Sequence, residues 1–167
     1  LSKTFFMQDF MYSELAAVHG ISNFPDDPDL AIETGTLLCT EILEPLQDHF
    51  GRIHISSGYR SRELNAFCNK HKLGCASNEA NAAGHIWDMR DKNGHKGAMA
   101  FIIIPSYIEE YERTGDFRPL ANAIRKRVSF GEMTFHPRHC GFNIGWHDVP
   151  SKEIYSYIKP WTGRVDQ

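Results

Sequence analysis

Nine histidines, four cysteines and 21 acids carry most of the reactive chemistry this chain could offer, and they are unevenly placed. His136, His139, Cys140 and His147 crowd one stretch, while His85 stands close to Asp88. Imidazole and carboxylate are zinc donors, so Asp88, His136, His139 and His147 are the residues from which a metal site could be assembled. Against that, His136-Pro137-Arg138-His139-Cys140 matches no established ligand spacing, and histidines beside prolines and turns more often cap or face water. Imidazole also titrates near working pH, which makes His139, or His147, the candidate general acid/base of an enzyme with an unassigned substrate. If His85 shares a strand with Asp88, alternation turns it to the opposite face.

The four cysteines, Cys39, Cys68, Cys75 and Cys140, are too few for a disulfide scaffold and form no CxxC pair, so they read mostly as reduced structural residues. Cys68 and Cys75 flank a short loop and would bridge if the protein met an oxidising compartment. Asp26-Asp27-Pro28-Asp29 reads as a solvated loop and helix start rather than a calcium site. Trp87, Trp146 and Trp161 could line a sugar groove, although large aromatics more commonly pack in cores.

These residues must be positioned by one domain spanning residues 1–167, with 41% hydrophobic and 23% charged residues typical of a folded chain. A net charge of −3 argues against a nucleic-acid partner; the one basic run, Arg125-Lys126-Arg127, suits a solvated helix end. The strongest apolar run, Met99 to Ile104, has a strand's length and cannot span a bilayer. Cytoplasmic and released or periplasmic settings both remain open, as does the oligomeric state.

Apolar periodicity predicts a short helix over Phe5 to Val18 and a main core helix from Asp29 to Phe50, N-capped by Asp29 and kinked at Pro45. Asn23 to Pro28 reads as an exposed loop. Arg52 to Ser56 alternates as a strand, Ser57 to Ser61 breaks it, and a short helix begins near Glu63. A polar loop over Asn69 to Asn81 precedes a second strand at Gly84 to Met89. Asn93-Gly94 then marks a tight turn. Met99 to Ile104 reads as a partner strand or a helix start, and helices follow at Tyr107 to Tyr111 and Pro119 to Val128. Glu132 to Phe135 and Gly141 to Trp146 read as late strands, and Ile154 to Ile158 as a closing helix or strand. The sum is an α+β domain with a small, mainly antiparallel sheet and N-terminal helices packed on it.

Within this frame, Ile55-Ser56-Ser57-Gly58-Tyr59-Arg60-Ser61 followed by Leu64-Asn65 resembles the strand-turn-helix signature of the zinc D-Ala-D-Ala carboxypeptidases, a family that includes phage endolysin peptidases. The family continues with a serine, a histidine two residues on, a glycine three beyond and an aspartate four after that; here Glu79, Asn81, Gly84 and Asp88 occupy those places. Its last ligand is a histidine between apolar residues on a late strand, where this chain has Phe142-Asn143-Ile144. Phe5 to Gly20 and Leu43-Glu44-Pro45-Leu46 resemble its N-terminal and long helices. The resemblance implies a DD-peptidase-like fold, a cleft in which Arg60 holds a substrate carboxylate, with Ser57 and Tyr59 beside it, and a zinc site at 81, 88 and 143.

That zinc site is degenerate. A catalytic zinc needs strong N, O or S donors and an open position, and an asparagine amide is a poor ligand for it. Asn81, Asp88 and Asn143 read instead as a hydrogen-bonded polar cluster without metal, or with Asp88 as the one carboxylate of a weak hard-cation site. The expected function is a pseudoenzyme or repurposed domain, without cofactor, that binds a peptide, a peptidoglycan fragment or another small ligand in the old cleft. The alternatives are an active peptidase with reassigned zinc ligands and a non-peptidase enzyme using a His-containing pocket. Arg60 serves either an anion or a structural salt bridge.

Overall fold

The computed structural model describes residues 1–165. Its centre is a six-stranded sheet in the order β1-β2-β4-β3-β5-β6, formed by β1 (His54–Ser57), β2 (Gly97–Ile103), β3 (Glu132–Phe135), β4 (Phe142–His147), β5 (Glu153–Ser156) and β6 (Gly163–Arg164). Every pairing is antiparallel except β3 with β5. The α+β class with a mostly antiparallel sheet therefore holds.

Alternation along the strands separates the sheet into a packed face and an open one. Ala98, Ala100 and Ile102 of β2, Phe142 and Ile144 of β4, and Met133 and Phe135 of β3 are buried in a core that draws on residues from Phe5 to Ile158. Ser57, Phe101, Asn143 and Thr134 face the other way, in one row set by the registers Ser57↔Phe101, Phe101↔Asn143 and Thr134↔Asn143. The short β4 match thus places Asn143 at the middle of the open face.

The N-terminal helix is two pieces, α1 (Met7–Met11) and α2 (Glu14–His19), because the extended Tyr12 and Ser13 break the chain. The Ser13 hydroxyl then accepts from the Ala16 N–H and restarts the helix. Phe5 and Phe10 enter the core, whereas Phe6 and Val18 stay exposed. The predicted long helix is α3 (Pro28–Leu38), a π-helical turn over Cys39–Leu43 and α4 (Glu44–Phe50). Pro45 has no N–H to continue the hydrogen-bond ladder, and the helix widens just before it. The N-cap is Asp27, whose carboxylate accepts from the Leu30 N–H, rather than Asp29.

The remaining helices are α5 (Arg62–Lys70), capped by Ser61, the single turn α6 (Asn78–Asn81), α7 (Pro105–Thr114) and α8 (Arg118–Arg125). The basic run closes α8 at the surface, as expected. Among the described residues, no helix is long and apolar enough to cross a membrane.

One predicted strand is absent: residues 82–90 form a looped segment that carries only an isolated bridge between Ala82 and Ile86. Its backbone groups pair within the loop, with Ala83 N–H donating to Met89 O, and with its neighbours, with Ile86 N–H donating to Asn81 O and Met99 N–H of β2 donating to Gly84 O. Trp87 is buried against Phe10 and Tyr59, and a side chain at Gly35 would collide with its ring at 2.6 Å. Met99 to Ile104 therefore takes β1 and β4 as partners. Ile154 to Ile158 resolves as strand β5 and its exit.

Cys68 and Cys75 form a disulfide, with Cα atoms 5.6 Å apart, the pairing that their places on either side of a short loop had allowed; Cys39 and Cys140 are free and buried.

Candidate functional site

The open sheet face is the floor of a cleft of about 660 Å³. Ser57, Phe101, Asn143 and Thr134 supply the floor, the disulfide loop and residues 80–85 form one wall, and Gly131, Val149, Ser151 and Tyr157 form the other. Arg60, Asn81, His85, Glu132, His136 and His147 bring the chemistry.

Arg60 is placed by its backbone, whose N–H donates to His85 O at 2.8 Å, and by its side chain. Its Nη1 donates to Asn65 Oδ1 and to Cys75 Sγ, both at 3.1 Å. Asn65 is fully buried and acts as a hub: its Oδ1 also accepts from Asn81 Nδ2 at 2.8 Å, while its Nδ2 donates to Ala76 O and Asn78 Oδ1. Arg60 has no carboxylate partner among the described residues, so the salt-bridge reading of this side chain is not met. Burial pushes the guanidinium pKa down. Desolvating a cation that only neutral groups oppose leaves its remaining donors available to an anion.

His85, which strand alternation would have turned away from the cleft, lies in its wall because its segment is a loop. Nδ1 stands 2.8 Å from Gly58 O and Nε2 stands 3.0 Å from Asn143 Oδ1. Burial first, and the Arg60 charge second, hold its pKa down at about 4, so the ring is neutral. A carbonyl can only accept, which places the ring proton on Nδ1.

Asp88 is elsewhere. Its Oδ2 accepts from the N–H groups of Asp26 at 2.7 Å and Asp27 at 3.2 Å, and its Oδ1 accepts from the Tyr59 hydroxyl at 3.1 Å. Carboxylate and phenol are both buried behind the cleft, and neither lines it. Burial, then the Asp88 charge, raises the Tyr59 pKa. Asp88 thus ties the Asp26-Asp27 loop to the core, and that loop is less free than its sequence suggested.

Of the residues singled out by sequence, Arg60, Ser57, Asn81 and Asn143 share the cleft, whereas Tyr59 and Asp88 support it from behind. The three positions 81, 88 and 143 do not fit a zinc ion: two offer amides already engaged by Asn65 and His85, and the third has both oxygens spent on donors. The other set, Asp88, His136, His139 and His147, does not converge. His136 lines the cleft against Phe101 and Tyr157, and burial lowers its pKa. His139 is exposed, takes a positive φ of 55° and lies outside the cleft, which removes it as a general acid/base there. His147 stands at the cleft margin beside Asp91.

Two contributors were missed. Asn65 was noted only as part of the signature, although a polar residue on the inner face of α5 needs partners and could have been read as a hub. Glu132 lines the cleft, its pKa raised by burial and lowered again in part by the Thr134 hydroxyl. Trp87 is core, Trp146 lines the cleft while its Nε1 donates to Glu41, and Trp161 packs under the Arg118 guanidinium.

Comparison with protein-family models, with curated proteins and with solved structures found no match in any of the three.

Proposed function

We propose that this chain is a ligand-binding domain of the D-Ala-D-Ala carboxypeptidase type, a pseudoenzyme that holds a carboxylate-bearing peptide or peptidoglycan fragment in its cleft. Arg60 carries the proposal: a guanidinium lining the cleft, with neutral partners only, is what a bound carboxylate would complete. Polar groups on Asn81, Asn143, Thr134 and Glu132 offer hydrogen bonds to a peptide backbone, and Phe101, Met99 and Trp146 offer apolar area. The donor chemistry at 81, 88 and 143 argues against zinc hydrolysis at those positions. The Cys68–Cys75 bridge favours an oxidising setting, released or periplasmic.

The test compares D-Ala-D-Ala with its C-terminal amide by NMR titration of the full chain. Binding of the free acid, with shifts at Arg60, His85 and Asn143 and an affinity at least ~10-fold above the amide's, is expected. Arg60→Gln should remove the difference. Equal binding of acid and amide, or shifts confined to residues outside the cleft, would sink the proposal.

A further inference from the structure

Beyond the cleft floor, a second group of donors meets where the Asn93-Gly94 turn packs on the end of β4. Asp91 and His95 lie on one turn and His147 is the last residue of β4; one donor atom from each lies within 4.8 Å of the other two. Asp91 Oδ2 stands 3.3 Å from His95 Nδ1 and 3.4 Å from His147 Nε2. Two ligand atoms on a tetrahedral zinc, each about 2.05 Å from the ion, are themselves about 3.3 Å apart. The spacing of the carboxylate to each imidazole is therefore already that of a coordination edge.

The surrounding hydrogen bonds hold the donors in place. Asp91 Oδ1 accepts from the N–H groups of Asn93 at 2.8 Å and His95 at 2.9 Å, which leaves Oδ2 to face the imidazoles. The turn is closed by Asp91 N–H to His95 O and Gly94 N–H to Asp91 O, and Gly94 supplies the positive φ of 84° it requires. The β2–β4 ladder extends past Gly97↔His147 through Asp148 N–H to Lys96 O and Lys96 N–H to Asp148 Oδ2, so the turn and His147 are fixed to one another. His147 Nδ1 is 3.0 Å from both Val149 O and Val149 N, whose N–H donates to it. Coordination through Nε2 requires the ring proton on Nδ1, where it would be donated to Val149 O in place of the contact with the Val149 N–H.

We infer that Asp91, His95 and His147 form a site for one borderline divalent cation of the zinc type. Two neutral imidazoles and a carboxylate suit such an ion better than calcium or magnesium, which take oxygen donors. Three protein ligands leave a coordination position for water. Because His147 also lines the cleft, the ion would stand at its margin and join the turn to the end of β4. This site is separate from positions 81, 88 and 143 and does not depend on Arg60.

The experiment uses the full chain, stripped with chelator, titrated with zinc by calorimetry and with cobalt by visible absorption. Uptake of one equivalent of zinc, resistant to a large excess of calcium or magnesium, with the d–d bands of tetrahedral cobalt, is expected. His95→Ala and His147→Ala should each weaken binding by at least roughly 100-fold, beyond the ~10–100-fold typical of losing an outer partner. His139→Ala and Arg60→Gln should leave it unchanged. His95→Ala decides the matter if His147→Ala fails to fold, since the His95 side chain is 35% exposed on the turn. No zinc uptake, or uptake unaltered in His95→Ala and Asp91→Ala, overturns the assignment.

Discussion

His85 Nε2 and Asn143 Oδ1 meet at 3.0 Å in the cleft, with the opposite ring nitrogen of His85 held 2.8 Å from Gly58 O. Asn143 turns its oxygen toward Nε2, so a neutral ring protonated on Nδ1 takes a hydrogen bond there only with the amide exchanged end for end and its NH2 group toward the ring. Protonating the ring reverses that demand and puts a cation beside Arg60.

Stability should therefore fall in acid. An unfolded histidine takes its proton near 6.5, whereas His85 in the fold does so only at about 4. As pH falls below 6.5 the unfolded chain gains the proton first, so the contribution from neutral His85 is complete above 6.5 and declines until the folded pKa is passed. The loss amounts to roughly 3 kcal/mol by pH 4. Denaturant unfolding of wild type and His85→Gln between pH 7 and pH 4 checks this: the mutant should lack that share of the pH dependence.

Asn65→Ala removes the hub that joins Arg60 to Asn81. Arg60 keeps its charge but loses one of its two side-chain acceptors. Affinity for a carboxylate ligand should drop about 5–10-fold, and stability by about 1–3 kcal/mol, as buried partners go unsatisfied. Calorimetric titration and urea unfolding measure the two effects separately. Unchanged affinity would detach the hub from Arg60 positioning.

Replacing both Cys68 and Cys75 by serine opens the loop that bears the other Arg60 acceptor. For so short a loop the chain-entropy term is about 2.5 kcal/mol, and the stability lost should be of that order. Ligand affinity should fall as well, because the loop forms part of the cleft wall. Mild reduction of the wild type should reproduce both changes and reoxidation should restore them; thiol titration alongside thermal melting follows the process.

Asp88→Asn separates support from binding. The amide cannot accept at both ends as the carboxylate does, so the Asp26 and Asp27 N–H groups or the Tyr59 hydroxyl lose their partner. A destabilisation of about 2–3 kcal/mol is expected. Affinity of the folded fraction should stay within about twofold of wild type, since Asp88 does not line the cleft. A large affinity loss with an unchanged melting temperature would contradict this division.

Local chemistry carried much of the fold in the sequence itself. The Ser57-Gly58-Tyr59-Arg60 break, the Asn93-Gly94 turn and the Phe142-Asn143-Ile144 alternation act over a few residues, so residue type and spacing were enough to place them. So was the presence of amides rather than imidazoles at 81 and 143, which is a matter of which atoms are present. Gly84 to Met89 was different: a short apolar run has the same period as a strand or as a packed loop, and the burial of Trp87 against Phe10 selects the loop. That choice brought His85 to Asn143 and turned Asp88 toward Tyr59, so the trio that the resemblance implied does not assemble. The meeting of His147 with Asp91, 56 residues earlier in the chain, follows from the β2–β4 register. The sequence determined which donors this protein possesses, and the packing of distant segments decided which of them meet, because contacts across such separations depend on tertiary burial rather than on local pattern.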